Sequence, residues 1–393
     1  MEAYAGEWLQ LLIRWVHVIT GIAWIGASFY FIWLDNHLRL PPDARDAPDA
    51  VGGELWAIHG GGFYQVQKFR VAPPVLPETL HWFFWEAYST WLSGFALLGV
   101  LYWWHAPTYM LAPGAPVTPL GAIGISAVLL ALGWVFYDQL CKRLGFAHER
   151  VLGILLVAFL ALGAWGLSHV FTGRAMFLQI GAMLGTIMAA NVLYVIIPGQ
   201  RQMVAAKHEG RAPDAVHGLR GKQRSVHNNY FTLPVLLAMI SNHYPMTYSG
   251  PHAWLVLAAL MLLAAYVRHF FNLRHRGRTV WAIPVTAAVG TLVLAIAIAP
   301  ARTTPAGHVA FADVEAIVHM RCAPCHAATP TQAGITTAPK GVLLDTPAQL
   351  VANAAGIRAQ AVDTHAMPLG NLTAMTDDER AKLGAWLAAG AAR

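Results

Sequence analysis

The chain has 393 residues, of which 56% are hydrophobic and only 12% are charged. Soluble domains carry about 25% charged residues, so this composition has too little polar surface to coat a soluble globule of this size. The net charge of +6 reflects basic residues gathered between apolar segments, and no nucleic-acid partner is expected from it.

Eight apolar windows predict eight membrane-spanning helices, because about 20 apolar residues cross a hydrocarbon layer of roughly 30 Å. The first is not expected to be a cleavable signal peptide, since Glu2 and Glu7 precede it where a basic segment would stand. The predicted spans are residues 9–34, 81–104, 118–140, 151–171, 175–198, 228–247, 252–271 and 280–300.

The basic residues predict the orientation of these spans. Seventeen Lys and Arg residues fall in the connections 35–80, 141–150 and 199–227 and around the junction of spans seven and eight, where Arg268 near the end of span seven is counted with the connection. The alternate connections contain Arg174 alone. Cytoplasmic loops of membrane proteins are enriched in Lys and Arg. The pattern therefore predicts a multi-pass inner-membrane protein with both termini outside the cytoplasm.

One connection is unusually apolar. The segment "GELWAIHGGGFYQVQKF" contains several aromatic residues and three successive glycines. Non-helical backbone at membrane depth is tolerated where protein covers it or where it lines a cavity. We predict an interfacial or re-entrant piece that covers a pocket, and the alternative is that Gly60 to Gly62 form only a tight turn.

Ionisable residues inside spans are costly and mark functional sites by default. They form two layers on the predicted orientation. The outer half contains Arg14, His17, His169, Asn242 and His243, and the cytoplasmic half contains Asp35, His37, His81, Glu86, Asp138, Asn191, His227, Asn228, Asn229 and His269. Any single histidine can instead form a hydrogen bond between helices, and Arg14 can extend to the headgroups.

The first span suggests a second cofactor. In "RWVHVITGIAWIGASFYF", His17 lies between Trp15 and Trp24 with small residues around it, which suits a helix packed against a flat ring. This span is similar to the first span of some small haem-binding membrane proteins. A b-type haem held by His17 with His169 or His243 is a hypothesis from this pattern.

The composition changes after residue 300, and residues 301–393 are predicted to form a small helical domain outside the cytoplasm. Cys322-Ala-Pro-Cys325-His326 is the attachment signature of a c-type haem, with His326 as the proximal iron ligand. A zinc site needs four ligands, and the remaining cysteine, Cys141, is predicted on the opposite side of the membrane.

The predicted sixth ligand of this haem iron is Met367, since Met/His ligation is typical of cytochromes c. Met320 is too close to the attachment site, and Met375 precedes a helix that a capping box is predicted to start at Thr376. His365 is the fallback ligand.

The whole chain resembles the integral-membrane, cytochrome c-fused urate oxidases (urate hydroxylases) of bacterial purine breakdown. The resemblance rests on "GELWAIHGGGFYQVQKF", "SVHNNYFTLPVLLAMISNHYP", "CAPCH" and "HAMPLGNLTAMTDDER". It implies an all-α membrane protein, with eight transmembrane helices in residues 1–300 followed by a small all-α class I cytochrome c domain in residues 301–393. It also implies oxidation of urate to 5-hydroxyisourate, with electrons passed to the haem and on to the respiratory chain.

The urate site is predicted from the residues themselves. Urate is a planar anion edged by carbonyl acceptors and N–H donors, so its site needs amide or cationic partners, an aromatic wall and a base. The candidate catalytic residues are His59, His81, Glu86, His227, Asn228 and Asn229, and the candidate aromatic wall is Phe63, Tyr64 and Tyr230.

A cytoplasm-facing pocket would lie across most of the bilayer from the haem, so either the pocket is deep or a second redox centre bridges the gap.

The expected partners are urate, the lipid bilayer and a respiratory acceptor such as a cytochrome c or a terminal oxidase. An electron-transfer module that passes quinol electrons to its own haem is the main alternative, and a haem-based sensor or assembly factor is another.

Overall fold

Long helices dominate the first 299 residues. The computed structural model describes residues 2–43, 45–299 and 309–392, and 68% of it is helical. The helices of this part are α1 (Glu2–His37), α2 (Trp85–Leu98), α3 (Ala106–Tyr109), α4 (Pro119–Leu144), α5 (Glu149–Leu167), α6 (Gly173–Asn191), α7 (Ile197–His208), α8 (Ala215–Ile240), α9 (Ala253–His275) and α10 (Ala282–Ala297). Short π-helical turns extend α2 (Gly99–Trp103) and join α6 to α7 (Val192–Ile196), and two 3₁₀ turns follow α8 (Ser241–His243, Pro245–Thr247).

Within the described residues, five helices are long and apolar enough to cross a membrane: α1, α4, α5, the continuous α6–α7 segment and α9. This is consistent with a membrane protein. The three other predicted spans correspond to α2, α8 and α10. Helices α2 and α10 have 14 and 16 residues, and α8 begins well before the predicted window, in a polar segment that includes the buried Arg224. The structure therefore supports five of the eight predicted spans by length and composition.

The glycine-containing connection is a β-hairpin, so the fold is not purely α-helical. Strands β1 (Val51–His59) and β2 (Gly62–Phe69) pair antiparallel, with His59 opposite Gly62. Gly60 and Gly61 have φ angles of 58° and 83°, as a two-residue turn with both central residues in the left-handed region requires. The turn confirms the alternative of a tight turn at these glycines, whereas the paired strands on either side of it were not predicted.

The connections rich in Lys and Arg lie together at one end of the helical bundle, called here the basic end. Lys207 Nζ donates to the carbonyl of Pro74 at 2.8 Å, and Gln223 Nε2 donates to the carbonyl of Gly145 at 3.2 Å. Arg276 after α9 bonds Asn36 at the end of α1 at 3.1 Å. These contacts join the connections that the charge pattern had grouped.

The alternate connections meet at the opposite end, called here the tail-side end. The backbone N–H of Ala112 donates to Val170 at 3.0 Å, and that of Thr172 donates to Met110 at 2.8 Å. Thr108 Oγ1 donates to the carbonyl of Ala333 at 2.8 Å. The C-terminal part of the chain thus contacts the end of the bundle that lacks the basic connections.

Residues 309–392 form a small helical unit with its own core. Its helices are α11 (Phe311–Arg321), α12 (Ala323–His326), α13 (Pro347–Ala352), α14 (Ala354–Ile357) and α15 (Asp377–Ala388), with a π-helical segment (Arg358–Asp363) and two 3₁₀ turns (Pro339–Gly341, Leu369–Asn371). Val314, Val318, Leu383 and Trp386 are buried together in this unit, called the tail below. The predicted domain boundary between residues 300 and 301 lies outside the described residues.

The predicted capping box at the start of α15 is confirmed. Thr376 accepts from the backbone N–H of Glu379, and the Glu379 carboxylate accepts from the backbone N–H of Thr376. Glu379 also accepts from Arg321 Nε at 3.0 and 3.1 Å. Burial acts to raise the pKa of Glu379, but these hydrogen bonds outweigh it and hold the pKa below its ordinary value of 4.5.

This lowered pKa predicts an acid-dependent tail. The ionised Glu379 contributes stability above its unfolded pKa, and the contribution is lost as the pH falls through the lower folded pKa. Glu379→Gln is expected to destabilise α15 at pH 7 by about 1 kcal/mol, as for a partly screened ion pair, and to flatten its acid dependence. Hydrogen exchange of α15 amides in the full chain measures this. Glu315→Gln, which alters an exposed carboxylate, is the control, and an equal effect of both variants would contradict the prediction.

Candidate functional site

Helix α8 is the centre of the polar interior near the basic end. Consecutive side chains on an α-helix point about 100° apart. His227, Asn228 and Asn229 therefore face three different neighbours and do not converge on one pocket. Each forms its own set of contacts.

Asn228 belongs to a fully bonded network with α4 and α6. Its Oδ1 accepts from Asn191 Nδ2 at 2.9 Å, and its Nδ2 donates to the carbonyl of Met188 at 3.0 Å. Asn191 also donates to the hydroxyl of Tyr137 at 3.3 Å. Since each of these groups has a partner, the network serves to join three helices.

A buried ion pair lies beside this network. Arg224 Nη2 is 2.7 Å from Asp138 Oδ1, with side-chain exposures of 4% and 3%, and the Arg224 guanidinium lies over the Tyr137 ring. Lys142 Nζ contacts the second carboxylate oxygen of Asp138 at 2.6 Å. Burial of a charge is tolerated when it is paired in this way.

His227 connects the interior to the surface. Its Nδ1 is 2.7 Å from the Tyr137 hydroxyl, and its Nε2 is 2.9 Å from Glu149 Oε2. A neutral imidazole with its proton on Nε2 satisfies both contacts, because it accepts from Tyr137 and donates to Glu149. Glu149 is 44% exposed, so Tyr137, His227 and Glu149 form a hydrogen-bonded chain that leads outward.

Asn229 faces a different centre, built around Arg268 of α9. Arg268 is 4% exposed, and its Nε donates to Asn229 Oδ1 at 2.9 Å. Its guanidinium carbon lies 3.9 Å from the centroid of the Phe29 ring on α1. Within the described residues no carboxylate forms an ion pair with Arg268, so this buried cation is not neutralised by the protein.

Unpartnered polar atoms concentrate at this centre. In the part of the chain that the structure describes, five buried side-chain nitrogen or oxygen atoms have no hydrogen-bond partner, and four of them are Arg268 Nη2, Asn229 Nδ2, Asn272 Oδ1 and His275 Nδ1. Buried polar groups are normally paired, because an unpaired one costs about 1–3 kcal/mol. The unpaired groups are two donors, an amide oxygen and an imidazole nitrogen. Such a set indicates a site for a polar ligand.

The walls of this Arg268 centre come from three helices. Arg268, Asn272 and His275 are spaced i, i+4 and i+7 and so share one face of α9. On α1, Phe29 contacts Arg268, and the ring of His37 lies 5.6 Å from that of His275. Helix α8 supplies Asn229. The centre therefore lies between α1, α8 and α9 near the basic end.

Among the described residues, the remaining predicted site residues form no hydrogen bond or ion pair with the Arg268 centre. His59, Phe63 and Tyr64 are on the hairpin, where Phe63 and Tyr64 are 78% and 54% exposed. His81 is exposed and packs edge-on against Phe83, and Glu86 is in the first turn of α2. Tyr230 bonds His269 Nδ1 at 2.7 Å on a separate face of α8. The catalytic roles assigned to all these residues stay predictions.

The histidines of the membrane-haem hypothesis have different hydrogen-bond partners or exposures in the structure. His17 Nδ1 is 3.0 Å from the carbonyl of Thr90, and its ring packs directly on Gly94 of α2. His169 bonds the carbonyl of Trp165 at 2.8 Å, and it is exposed, as is His243. Among the described residues neither is hydrogen-bonded to or stacked on His17.

Sequence reasoning missed Arg268 and Asn272. Arg268 had been counted with the loop charges between spans seven and eight, but it lies seven residues before the end of α9 and is buried. The available signal was the run "LVLAALMLLAAYVRHFFN", in which an arginine interrupts a helix that is otherwise apolar. An arginine so far inside a span is a functional hypothesis by default.

The attachment motif in the tail fits a c-type haem. His326 Nδ1 is 3.0 Å from the carbonyl of Val342, which fixes the ring and leaves Nε2 for iron, as second-sphere contacts of metal-binding histidines do. Cys322 and Cys325 have no disulfide partner, and burial raises the pKa of the Cys322 thiol to about 12. No group of three His, Cys, Asp or Glu residues for a free metal ion occurs among the described residues.

Met367 is held in a defined position. Its backbone N–H donates to Gln360 at 2.8 Å, and its carbonyl accepts from Arg380 Nη1 at 2.8 Å. Its side chain is partly buried and packs against the core of the tail, where Met375 is fully buried.

The loops after His326 and Met367 face the bundle. Ala333 and Gly334, which follow His326 by seven and eight residues, contact Thr108, and Gly370 lies against Thr172. A cavity of about 340 Å³ between the two parts is lined by residues of both, which include Arg174, Tyr248, His365 and Arg380. This side of the tail is therefore docked on the tail-side end.

The model of a family described as urate oxidase N-terminal matches residues 3–299. No curated protein and no solved structure matches the chain.

Proposed function

The chain belongs to the urate oxidase N-terminal family, and on this basis we propose that it oxidises urate to 5-hydroxyisourate within the helical bundle and passes the electrons to a c-type haem in its tail. Family membership supports a urate-related oxidation. The unpaired polar atoms of the Arg268 centre support this centre as the binding site for urate. The geometry of His326 supports its role as a ligand of the haem iron.

The buried, unneutralised Arg268 is the observation that carries the substrate assignment. Urate is a monoanion at neutral pH, and a planar guanidinium suits an anion with carbonyl edges. Arg268 Nη2 and Asn229 Nδ2 are free to donate to ring oxygens, Asn272 Oδ1 is free to accept a ring N–H, and Phe29 supplies an aromatic surface. Binding of the anion would satisfy atoms that the protein leaves unpaired.

The overall reaction balances as urate plus water giving 5-hydroxyisourate, two electrons and two protons. A general base must lie within hydrogen-bond reach of the substrate. His275 Nδ1, unpartnered on the same face as Arg268, is the proposed proton acceptor. The nearby His37 ring offers an onward step toward the basic end.

The tail would hold the haem through thioether bonds from Cys322 and Cys325, with His326 and Met367 as iron ligands. Haem c supplies one-electron acceptance, so two electron transfers complete one urate oxidation. Val342 orients His326, and Arg380 fixes the backbone of Met367, so both proposed ligands have defined supports.

We also propose eight spans, with the basic end in the cytoplasm and the tail in the periplasm of a bacterial inner membrane. The positive-inside pattern supports this orientation. The docking of the tail at the opposite end, through Thr108 and Ala333, agrees with it independently, since c-type haem is attached outside the cytoplasm. The proposed electron acceptor beyond the haem is a respiratory-chain component.

The distance between the two centres is long. Ala253 begins α9 at the tail-side end, and Arg268 lies fifteen residues further along, which corresponds to about 22 Å at 1.5 Å per residue. A relay is therefore expected inside the bundle. The b-type haem at His17 stays a hypothesis for it, and loss of all haem absorbance in a Cys322→Ala, Cys325→Ala double variant would exclude it.

Washed membranes that contain the protein test the proposed reaction. They are expected to consume urate without releasing hydrogen peroxide. A quinol-to-cytochrome module without a urate site, the alternative, would consume none. Membranes with Arg268→Gln are the matched negative control, and urate consumption accompanied by equimolar peroxide would contradict the proposal.

Met367→Ala is expected to leave the haem attached but to lower its reduction potential, because methionine ligation raises the potential of a cytochrome c. Redox titration of the purified full chain measures the shift. Met320→Ala, which alters an exposed methionine, is the control. An unchanged potential in Met367→Ala would assign the sixth ligand to another residue.

A further inference from the structure

A long apolar groove lies between α5, α8 and α9, on a face of α8 other than that of the Arg268 centre. Its volume is about 670 Å³. Along α5 it extends from Glu149 to Ala164, which is about 22 Å of helix at 1.5 Å per residue. Leu219 and Leu262 at its rim are 54% and 47% exposed, so the groove opens on the outer surface of the bundle, where lipid would be.

The polar groups of the groove lie toward its basic end. Glu149, Gln223 and His227 stand there, with Tyr230 further in, whereas Leu156 and Ala164 mark the apolar remainder. His227 belongs to the chain from Tyr137 to Glu149, and Tyr230 is bonded to His269. Two hydrogen-bonded pairs that can exchange protons thus face the same end of an otherwise apolar channel.

The charges at this end disfavour an anionic headgroup. Lys222 lies 3.6 Å from Asp35, and Glu149 adds a carboxylate to the rim. A phospholipid phosphate would meet the Glu149 carboxylate beside a lysine that already contacts Asp35, a carboxylate shared with Lys68. A neutral head that forms hydrogen bonds, attached to a long apolar chain, matches both halves of the groove.

We propose that this groove binds an isoprenoid quinone, with its ring near His227 and Tyr230 and its chain along α5. A quinone ring presents carbonyl oxygens to hydrogen-bond donors, and quinone chemistry exchanges protons, which the two bonded pairs can supply or accept. The site is separate from the Arg268 centre. It does not depend on urate being the substrate, because binding is measured without urate.

Calorimetric titration of the purified full chain with decylubiquinone tests the proposal. The blocking variant is Gly153→Leu, since Gly153 lines the groove and a Cβ there meets no atom within 4 Å. Leucine also favours a helix over glycine, so the variant is expected to fold. Gly166→Leu is the matched control, because Gly166 is on the same helix, equally open, and outside the groove.

The wild type and Gly166→Leu are expected to bind decylubiquinone with equal affinity, and Gly153→Leu about 10-fold more weakly or not at all, as expected for an overfilled site. Absence of binding by the wild type would overturn the proposal. Equal binding by all three proteins would also overturn it. A third contradicting result would be a phospholipid that is extracted from the wild type but not from Gly153→Leu, in protein that does not bind decylubiquinone.

Discussion

Replacing Arg268 with glutamine is expected to lower the kcat/KM for urate about 100-fold, because it removes a charged hydrogen-bond donor from a buried anion site. The side chain has no carboxylate partner among the described residues, so no ion pair of the protein is broken by the change. Asn229 and Asn272 would keep their positions on α8 and α9. Arg268→Lys is expected to recover only part of the activity, since an ammonium cannot reproduce the planar fork.

Arg274→Gln is the matched control for this prediction. It removes the same charge from the same helix at an exposed position, so any effect of net charge or of expression appears in both variants. Haem content and the optical spectrum are expected to stay as in the wild type in Arg268→Gln, Arg268→Lys and Arg274→Gln. Wild-type kcat/KM in Arg268→Gln would place the urate site elsewhere, and the chain from Tyr137 to Glu149 would be the next candidate.

The second large effect is expected at the buried pair of Asp138 and Arg224. Asp138→Ala leaves the guanidinium of Arg224 buried without its carboxylate, which typically costs about 3–5 kcal/mol. A denaturing-detergent titration of the purified protein measures the free energy of unfolding. The expected fall has a structural cause, because Arg224 also packs on Tyr137 in the network that joins α4, α6 and α8.

Two further variants separate burial from charge. Asp46→Ala removes the partner of Arg70, but Asp46 is 95% exposed, so this variant is expected to change stability by less than about 1 kcal/mol. The double variant Asp138→Leu, Arg224→Met replaces the pair with apolar side chains and is expected to be more stable than Asp138→Ala. If Asp46→Ala and Asp138→Ala were equally destabilising, the account of the buried pair would be wrong.

Much of the fold was predictable because its signals are local. The capping box at Thr376 depends on residues three positions apart, and the attachment motif from Cys322 to His326 is contiguous. The apolar windows located helices throughout the bundle. Length alone separates the clear spans from α10, whereas α2 is both short and less apolar. A tight turn at the glycines was one of two interpretations of this segment, but the paired strands around Gly60 and Gly61 were not predicted, since the aromatic residues there were interpreted as interfacial.

The candidate site was less predictable because it depends on which helices pack together. The sequence placed His227, Asn228 and Asn229 in one catalytic group, whereas the 100° turn between residues sends them to different neighbours. Arg268 can be recognised as a candidate binding residue only in the folded structure, where Phe29 of α1 packs against it and no described carboxylate pairs with it. Pairing between α1, α8 and α9 is a long-range property that no single window of sequence contains.

Anaerobic addition of urate to the purified full chain, with the haem c absorbance followed in time, tests whether electrons from urate reach the tail. We expect reduction of two equivalents of haem for each urate consumed, and loss of this reduction in Arg268→Gln with the haem retained. A haem that stays oxidised in the presence of excess urate, in protein that reductant still reduces fully, would contradict it.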